Sequence, residues 1–169
     1  MPILKKIKGS YSNDDALFRL VNYILDPNKM PNRLVGGLGV YFYNAAESMN
    51  DIRCIFNHSG RQAEHYVLSF TIKESEKINT QNALKLGYAV CEFFENVQVL
   101  FAYHECKDES NASELNHNLH IHFAVGTTNI NTGKKYYTNK TEALRFRDYT
   151  EAVLNEMGIS DDYLGLKFG

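Results

Sequence analysis

The sequence predicts an α+β domain in which a mostly antiparallel sheet is covered by helices. Apolar residues alternate with other residues over 65–72, 97–104 and about 118–126, which is the pattern of strands. Segments with helical spacing lie before, between and after these strands, and turn residues at 131–134 favour a hairpin after the last one. Strands that are interrupted by helices and end in a hairpin are typical of this fold class.

The chain begins with a weakly alternating segment and a well-defined helix. Residues 3–8 predict a first strand, and Tyr11 is interpreted as a loop aromatic. Four aliphatic residues at positions 17–24 recur at i, i+3, i+4 and i+7, the spacing of one buried helical stripe. The Asn13-Asp14 pair can cap this helix. Asp26 ends it, because a residue that precedes proline avoids the helical region.

Further helices and connections follow. Residues 34–43 are rich in glycine and lead into a short strand. Helical spacing predicts three more helices, at about 45–56, 80–96 and 141–157. A polar insert at 105–116 separates two of the strands, and the last eleven residues predict no element.

Composition favours one domain. The 169 residues are 44% apolar and 12% aromatic, so we expect a single domain over 1–169, which can be the N-terminal part of a longer protein. No stretch approaches the roughly 20 apolar residues of a membrane span, and the first residues lack the apolar block of a leader, so we expect a cytoplasmic protein. The three cysteines form no Cys-x-x-Cys pair, which argues against a disulfide framework and a thiolate zinc site.

Charge is nearly balanced overall but uneven along the chain. A net charge of −2 and a pI of about 6.3 do not indicate a polyanionic partner. Between positions 133 and 147, however, only Glu142 is acidic and five residues are basic. These are Lys134, Lys135, Lys140, Arg145 and Arg147. A basic stretch therefore follows the strand at 118–126 directly.

That strand carries two histidines on one face. His120 and His122 are two residues apart, so their side chains leave the strand on the same side, roughly 7 Å apart at the backbone, and both can reach one metal ion. His104 lies at the end of the preceding strand and can join them. Three neutral imidazoles leave coordination positions open, as a catalytic metal site requires. The pattern alone is also compatible with another interpretation, in which His120 and His122 are polar residues on a half-exposed strand and bind no metal.

Three sequence blocks resemble the mobilisation relaxases of plasmids and conjugative elements. They are Val-Asn-Tyr-Ile-Leu-Asp-Pro-Asn-Lys at 21–29, His-Tyr-Val-Leu-Ser-Phe at 65–70, and Asn-Leu-His-Ile-His-Phe at 118–123 followed by Asn-Thr-Gly-Lys-Lys at 131–135. They occur in the family order and span most of the chain. The family belongs to the His-hydrophobe-His endonucleases. The resemblance implies a relaxase-like sheet, related to the ferredoxin and palm folds. It also implies a protein that nicks one DNA strand at a transfer origin.

The resemblance implies that Tyr23 is the nucleophile, whose attack on the scissile phosphate leaves a 5′-phosphotyrosyl bond and a free 3′-hydroxyl. Tyr23 lies roughly 110° from the centre of its helix's apolar stripe, so core packing does not require it. His120 and His122 match two metal ligands and His104 matches the third. The implied cofactor is Mn or Mg, with Zn or Ni as substitutes in vitro. Because 16 positions separate His104 from His120, His117 remains a rival third ligand.

The family also implies DNA contacts and protein partners. His65 and Ser69 match the block that the family places near the scissile phosphate. The local cations that we assign to phosphate contacts are Lys134, Lys135, Arg145 and Arg147, with Lys5, Lys6 and Lys8 as a second group. Single-stranded or hairpin DNA is the implied substrate, and accessory relaxosome proteins and a coupling protein are the implied partners.

Three alternative functions stay open. A rolling-circle replication initiator shares the metal motif and tyrosine chemistry but usually places its tyrosine after the histidine strand, where Tyr136, Tyr137 and Tyr149 lie. A non-catalytic module could stack single-stranded bases on aromatic residues of the sheet without a metal. A cupin-like metal barrel also uses His-x-His. It requires a carboxylate ligand a few residues further on, whereas this chain has Gly126-Thr127-Thr128 there.

Overall fold

The structure is a computed structural model that describes residues 1–9, 11–106 and 118–169. Six strands of the described residues form one open sheet: β1 (Ile3–Lys6), β2 (Val35–Leu38), β3 (Ala63–Ser69), β4 (Val97–Cys106), β5 (Asn118–Asn129) and β6 (Gly165–Phe168). Their order across the sheet is β2-β4-β5-β3-β1-β6. All neighbouring pairs are antiparallel except β1 and β6, which are parallel. This confirms the predicted α+β fold with a mostly antiparallel sheet.

Helices cover both faces of the sheet. They are α1 (Ala16–Ile24), α2 (Ala45–Ile55), the single turn α3 (Ile72–Ser75), α4 (Thr80–Cys91) and α5 (Lys140–Glu156). The apolar faces of α4 and α5 pack with one face of β4 and β5 in a first core. The apolar stripe of α1 and the small residues of α2 pack with the opposite face in a second core. No helix in the described part of the chain is long and apolar enough to cross a membrane.

Strict alternation along β4 and β5 decides which side chains enter each core. Phe101 and Phe123 point toward α4 and α5, whereas Ala102 and Ala124 point toward α1 and α2. Because the second face carries small alanines here, α1 can lie close to the sheet. His104 and the two histidines of β5 continue this second face toward the end of α1, where the apolar filling stops.

Several element ends differ from the sequence prediction for local reasons. The third strand ends at Ser69, because Thr71 and Glu74 form a capping box that starts α3. The hairpin after β5 is reduced to a single bridge between Thr128 and Lys135. The last eleven residues, where no element was predicted, contain β6, a four-residue edge strand held by β1. Such a short strand offers too few residues for a periodic pattern.

A close contact between two glycines and an aromatic ring supports the first core. Side-chain atoms at either Gly36 of β2 or Gly87 of α4 would overlap with the ring of Phe101. Both glycines therefore let β2 and α4 approach the central strand, and the fully buried ring fills the space that they leave.

Replacing Gly87 by alanine is expected to lower the free energy of unfolding by about 1–3 kcal/mol, the usual cost of overpacking. In an open helix position the same change would stabilise by about 1 kcal/mol. Denaturant unfolding measures the difference. In a Phe101→Leu background the penalty should shrink, because the smaller side chain leaves room for the new methyl group. Equal penalties in the two backgrounds would contradict the packing account.

Candidate active site

Antiparallel pairing of β4 with β5 brings three histidines together. His104 lies directly opposite His120, and Ala102 lies opposite His122. One ring nitrogen from each of the three histidines lies within 4.8 Å of the others. The ring centroids of His104 and His122 are 4.3 Å apart, and those of His120 and His122 are 5.0 Å apart. The long insert between the strands therefore does not prevent His104 from joining the pair on β5.

The cluster has the chemistry of a metal site. His122 Nε2 is buried and makes no hydrogen bond among the described residues, although a buried ring nitrogen normally has a partner. Burial, reinforced by the neighbouring histidines, lowers the pKa of His122 to about 2, and burial also lowers the pKa of His104. Both imidazoles therefore stay neutral at physiological pH, with a lone pair for an ion. His117, the rival ligand, lies outside the described residues.

A hydrogen bond connects this cluster to the end of α1. His104 Nε2 lies 2.7 Å from the carbonyl oxygen of Ile24, the last residue of the helix. A carbonyl can only accept, so Nε2 carries the hydrogen and Nδ1 of the neutral ring is left for a metal. The same bond satisfies one of the carbonyl groups that a helix end leaves unpaired. It therefore positions the residue before Ile24 beside the cluster.

That residue is Tyr23, which lies over the histidines. Its ring centroid is 5.4 Å from that of His122 and 5.7 Å from that of His104. The side chain is 45% exposed, so a substrate can reach it. Lys29 Nζ lies 4.3 Å from the centroid of the Tyr23 ring and 3.6 Å from a carboxylate oxygen of Asp26. The predicted nucleophile thus has both a histidine cluster and a cation beside it.

His65 occupies a more specific place than the sequence indicated. It is almost fully buried, and its Nε2 lies 2.9 Å from His122 Nδ1. Its Nδ1 lies 2.9 Å from the hydroxyl of Tyr11. Burial, and after it the neighbouring His104, lowers the pKa of His65 to about 4. His65 therefore contacts a candidate metal ligand rather than open solvent.

An open groove leads away from the cluster over β3 and β1. Because α1 and α2 cover only the other half of this sheet face, a cavity of about 1140 Å³ remains. His65, Ser69 and His120 line one part of it, and Lys5 and Arg19 line another. Ser69 pairs directly with His120 across the strands. The groove is wide, open and partly basic, as a nucleic-acid strand requires.

The cations of the later basic stretch lie elsewhere. Arg145 and Arg147 are on α5, across the sheet from the groove, and they pair with Glu142 and Asp148. Lys135 donates a hydrogen bond to the carbonyl of Ser59. Its bridge partner Thr128 is eight residues along β5 from His120, which is roughly 26 Å of strand. Lys134 adjoins it in the same turn.

Two side chains beside the cluster received no role from the sequence. The sequence pattern predicts only a loop aromatic at Tyr11, and it assigns no role to Lys29 in the block at 21–29. Tyr11 has a positive φ of 39°, which no periodic pattern predicts. The proline four residues after Tyr23 is a usable signal for Lys29, because a turn at Asp26-Pro27 brings the next residues back over the helix end.

Comparison with known proteins gives one match. Residues 23–159 match the family model described as Relaxase: MobA/VirD2-like, nuclease domain. The match begins at Tyr23 and includes all three clustered histidines. Neither the curated proteins nor the solved structures gave a match to the chain.

Acidification of the metal-free protein is expected to lower its stability between about pH 6.5 and pH 4. Because the pKa of His65 is lowered to about 4 in the folded state, the unfolded chain binds a proton first as the pH falls through this window. His65 alone contributes roughly 3 kcal/mol to the effect. Denaturant unfolding at several pH values measures it. His65→Gln, which does not titrate, should make the profile shallower, and an unchanged profile would contradict the assignment.

Proposed function

This chain belongs to the MobA/VirD2-like relaxase nuclease domains and is a DNA-nicking relaxase in general terms; we propose that it cuts one strand at a specific site of a transfer origin through Tyr23. The observation that supports this proposal is the position of an exposed tyrosine over a cluster of three histidines. A phosphate that contacts the cluster from the groove would lie within reach of the Tyr23 hydroxyl.

The proposed reaction is a transesterification. Tyr23 Oη attacks the phosphorus and forms a new P–O bond, while the bond from phosphorus to the 3′-oxygen breaks. The phenolic hydrogen is lost to solvent, and the departing 3′-oxygen takes a hydrogen from solvent. Because one P–O bond forms as another breaks, the number of phosphodiester bonds is conserved. The products are a 5′-phosphotyrosyl adduct and a free 3′-hydroxyl. No nucleotide cofactor is needed, because the adduct retains the energy of the cleaved bond.

His104, His120 and His122 would hold the divalent ion of this family. When bound there, the ion supplies Lewis-acid stabilisation of the charge on the phosphoryl oxygens. Mn²⁺ or Mg²⁺ is the proposed ion; imidazole nitrogens bind Mn²⁺ more strongly than Mg²⁺, and they bind Zn²⁺ and Ni²⁺ more strongly still, so Zn²⁺ and Ni²⁺ can substitute in vitro. The hydrogen bond from His104 to Ile24 keeps the His104 ring oriented toward the cluster.

The groove beside the cluster is the proposed path of the single strand. Lys5 and Arg19 line it and can contact phosphates, although Arg19 also forms an exposed ion pair with Asp15. Ser69 lies beside His120 and can donate a hydrogen bond to the strand near the scissile bond. The cations farther away would contact duplex or hairpin DNA outside the groove: Lys134, Lys135, Arg145 and Arg147. Accessory relaxosome proteins and a coupling protein remain the proposed partners.

The C-terminal tyrosines fit the replication-initiator alternative less well than Tyr23 fits the relaxase. The Tyr149 hydroxyl donates a hydrogen bond to the carbonyl of Ala89 on α4, across the sheet from the histidines. Tyr136 packs against the core formed by α4 and α5. Tyr137 is 65% exposed, but it belongs to the same connection to α5. The relaxase order, with the tyrosine before the histidine strand, is therefore the one we favour.

Tyr23→Phe should abolish the covalent adduct. With Mn²⁺ present, the purified protein should nick supercoiled DNA that carries its own origin, and protein should remain attached to the 5′ end in denaturing gels. The variant should give no adduct, because it lacks the attacking oxygen, whereas the exposed Tyr137→Phe should behave as the original chain does. EDTA should stop the reaction. An adduct on the Tyr23→Phe protein would refute the nucleophile assignment.

Lys29→Met should slow cleavage by roughly 10-fold under single-turnover conditions. Lys29 Nζ lies over the Tyr23 ring, so we expect its positive charge to stabilise the phenolate that develops on Tyr23 and the phosphate as the bond forms. This reduction in rate should be smaller than the reduction caused by removing a fully buried hydrogen-bond donor. The Lys29 side chain is 43% exposed, so salt screens its charge. Lys85→Met, on an exposed position of α4, is the matched control. Equal rates for the two variants would remove Lys29 from the mechanism.

A further inference from the structure

Three side chains form a hydrogen-bonded line that starts at the candidate metal ligand His122 and ends at the groove. His122 Nδ1 lies 2.9 Å from His65 Nε2, and His65 Nδ1 lies 2.9 Å from the Tyr11 hydroxyl oxygen. At the other side of its ring, His122 Nε2 is buried and makes no hydrogen bond among the described residues. Tyr11 and His65 both line the groove.

The number of hydrogens on neutral imidazoles fixes the direction of this line once an ion is bound. A ligand nitrogen carries no hydrogen, so an ion on His122 Nε2 places the ring hydrogen on Nδ1. That hydrogen must be donated to His65 Nε2, which is then the bare nitrogen of its ring. The His65 hydrogen consequently sits on Nδ1 and is donated to the Tyr11 oxygen. The Tyr11 hydroxyl accepts, and its own hydrogen is free for another acceptor.

We propose that His65 and Tyr11 form an outer layer of the metal site that orients His122 and presents the Tyr11 hydroxyl hydrogen to a phosphate oxygen of DNA in the groove. This inference rests on the proposed metal-dependent reaction at the same histidines. In it, Tyr11 is a DNA-binding residue and His65 is a positioning residue. Neither role follows from their spacing in the sequence.

Tyr11 is held firmly enough for such a role. The backbone N–H of Gln62 donates to the carbonyl of Tyr11 at 2.8 Å. The buried Gln62 side chain accepts from the backbone N–H of Leu17 at 3.1 Å and donates to the carbonyl of Asn13 at 2.9 Å. One glutamine thus fixes both ends of the segment between Tyr11 and α1. The positive φ of Tyr11 is maintained by these bonds.

A histidine at position 65 does what a carboxylate could not. A carboxylate would accept the hydrogen of His122 Nδ1 but has no hydrogen to pass on. It would also reduce the positive charge of a loaded metal site, whereas neutral His65 leaves that charge available to attract a phosphate. The hydrogen bonds from His122 through His65 to Tyr11 would therefore connect the orientation of His122 with recognition of a DNA phosphate by Tyr11.

The direct test reads the ring hydrogens by ¹⁵N nuclear magnetic resonance of the full chain loaded with Zn²⁺, which is diamagnetic. We expect His122 and His65 both to carry hydrogen on Nδ1, with Zn²⁺ on His122 Nε2. Zinc bound at the three histidines with His65 protonated on Nε2 would overturn the relay alone. Failure of the chain to bind Zn²⁺ would overturn the metal centre itself, and with it the relay, so the two failures are distinguishable.

Zinc affinity provides a second test that does not depend on activity. His65→Leu should weaken Zn²⁺ binding about 10- to 100-fold in calorimetry, the usual effect of losing an outer partner of a ligand histidine. His65→Gln, whose amide oxygen can accept from His122 Nδ1, should recover most of the affinity. His58→Leu removes a histidine that contacts Thr128 instead and should change nothing. If both variants fold and bind Zn²⁺ with equal affinity, His65 does not act through a hydrogen bond from His122 and the proposal is contradicted.

Binding of DNA tests the outer end of the relay. Tyr11→Phe should leave Zn²⁺ affinity within about 3-fold of the original and weaken binding of an oligothymidylate by about 10-fold when Zn²⁺ is present, because one hydrogen bond to a charged oxygen is lost. Tyr88→Phe is the matched control, because this partly exposed tyrosine lies on α4 and contacts Phe101 on the opposite side of the sheet. Oligothymidylate binding by Tyr11→Phe equal to that of the control would overturn the phosphate contact.

Discussion

The register between β4 and β5 is the constraint on which the rest of this molecule depends. It places His104 opposite His120 and Ala102 opposite His122, so residues that are distant in sequence present their side chains to the same face. A slip of one residue in either strand would turn that strand's histidines into the core that α4 and α5 cover, and would turn Phe101 or Phe123 toward α1 and α2, where alanines lie now. Burial of those aromatic rings therefore stabilises the histidine cluster as well as the sheet.

A second interaction brings the proposed nucleophile, Tyr23, to this arrangement. The small side chains of Ala102 and Ala124 let α1 lie close to the sheet, and the hydrogen bond from His104 to Ile24 fixes the helix end above the histidines. Tyr23 gains its position from these two contacts rather than from burial of its own ring. The helix therefore contributes its aliphatic stripe to the core, and its adjacent face carries the tyrosine of the proposed reaction.

The sequence predicted the parts of the site that follow from periodicity. Alternation in two strands and one helical stripe assigned Tyr23, His104 and His120 to surfaces that could meet, and the resemblance between blocks gave them roles. Tyr11 could not be assigned in this way. Its contact with His65 joins positions far apart in sequence and depends on a positive φ and on the bonds of Gln62, which leave no periodic signal.

Charge gave the least reliable guide to position, because a cluster of cations in sequence does not indicate which side of a sheet it faces. Lys5 lines the groove, whereas Arg145 and Arg147 lie on the other side of the sheet and are neutralised by acidic neighbours. If those arginines contact DNA as predicted, that DNA lies outside the groove. The family match over residues 23–159 includes these arginines as well as Tyr23 and the three clustered histidines.

The most direct measurement is X-ray diffraction from crystals soaked with Mn²⁺, with data collected so that anomalous scattering locates the ion. We expect one strong anomalous peak bounded by His104 Nδ1, a ring nitrogen of His120 and His122 Nε2, with the Tyr23 hydroxyl facing the same space. A peak at another cluster, or an ion at these histidines with the Tyr23 ring turned away and no room for a phosphate between them, would refute the proposed active site.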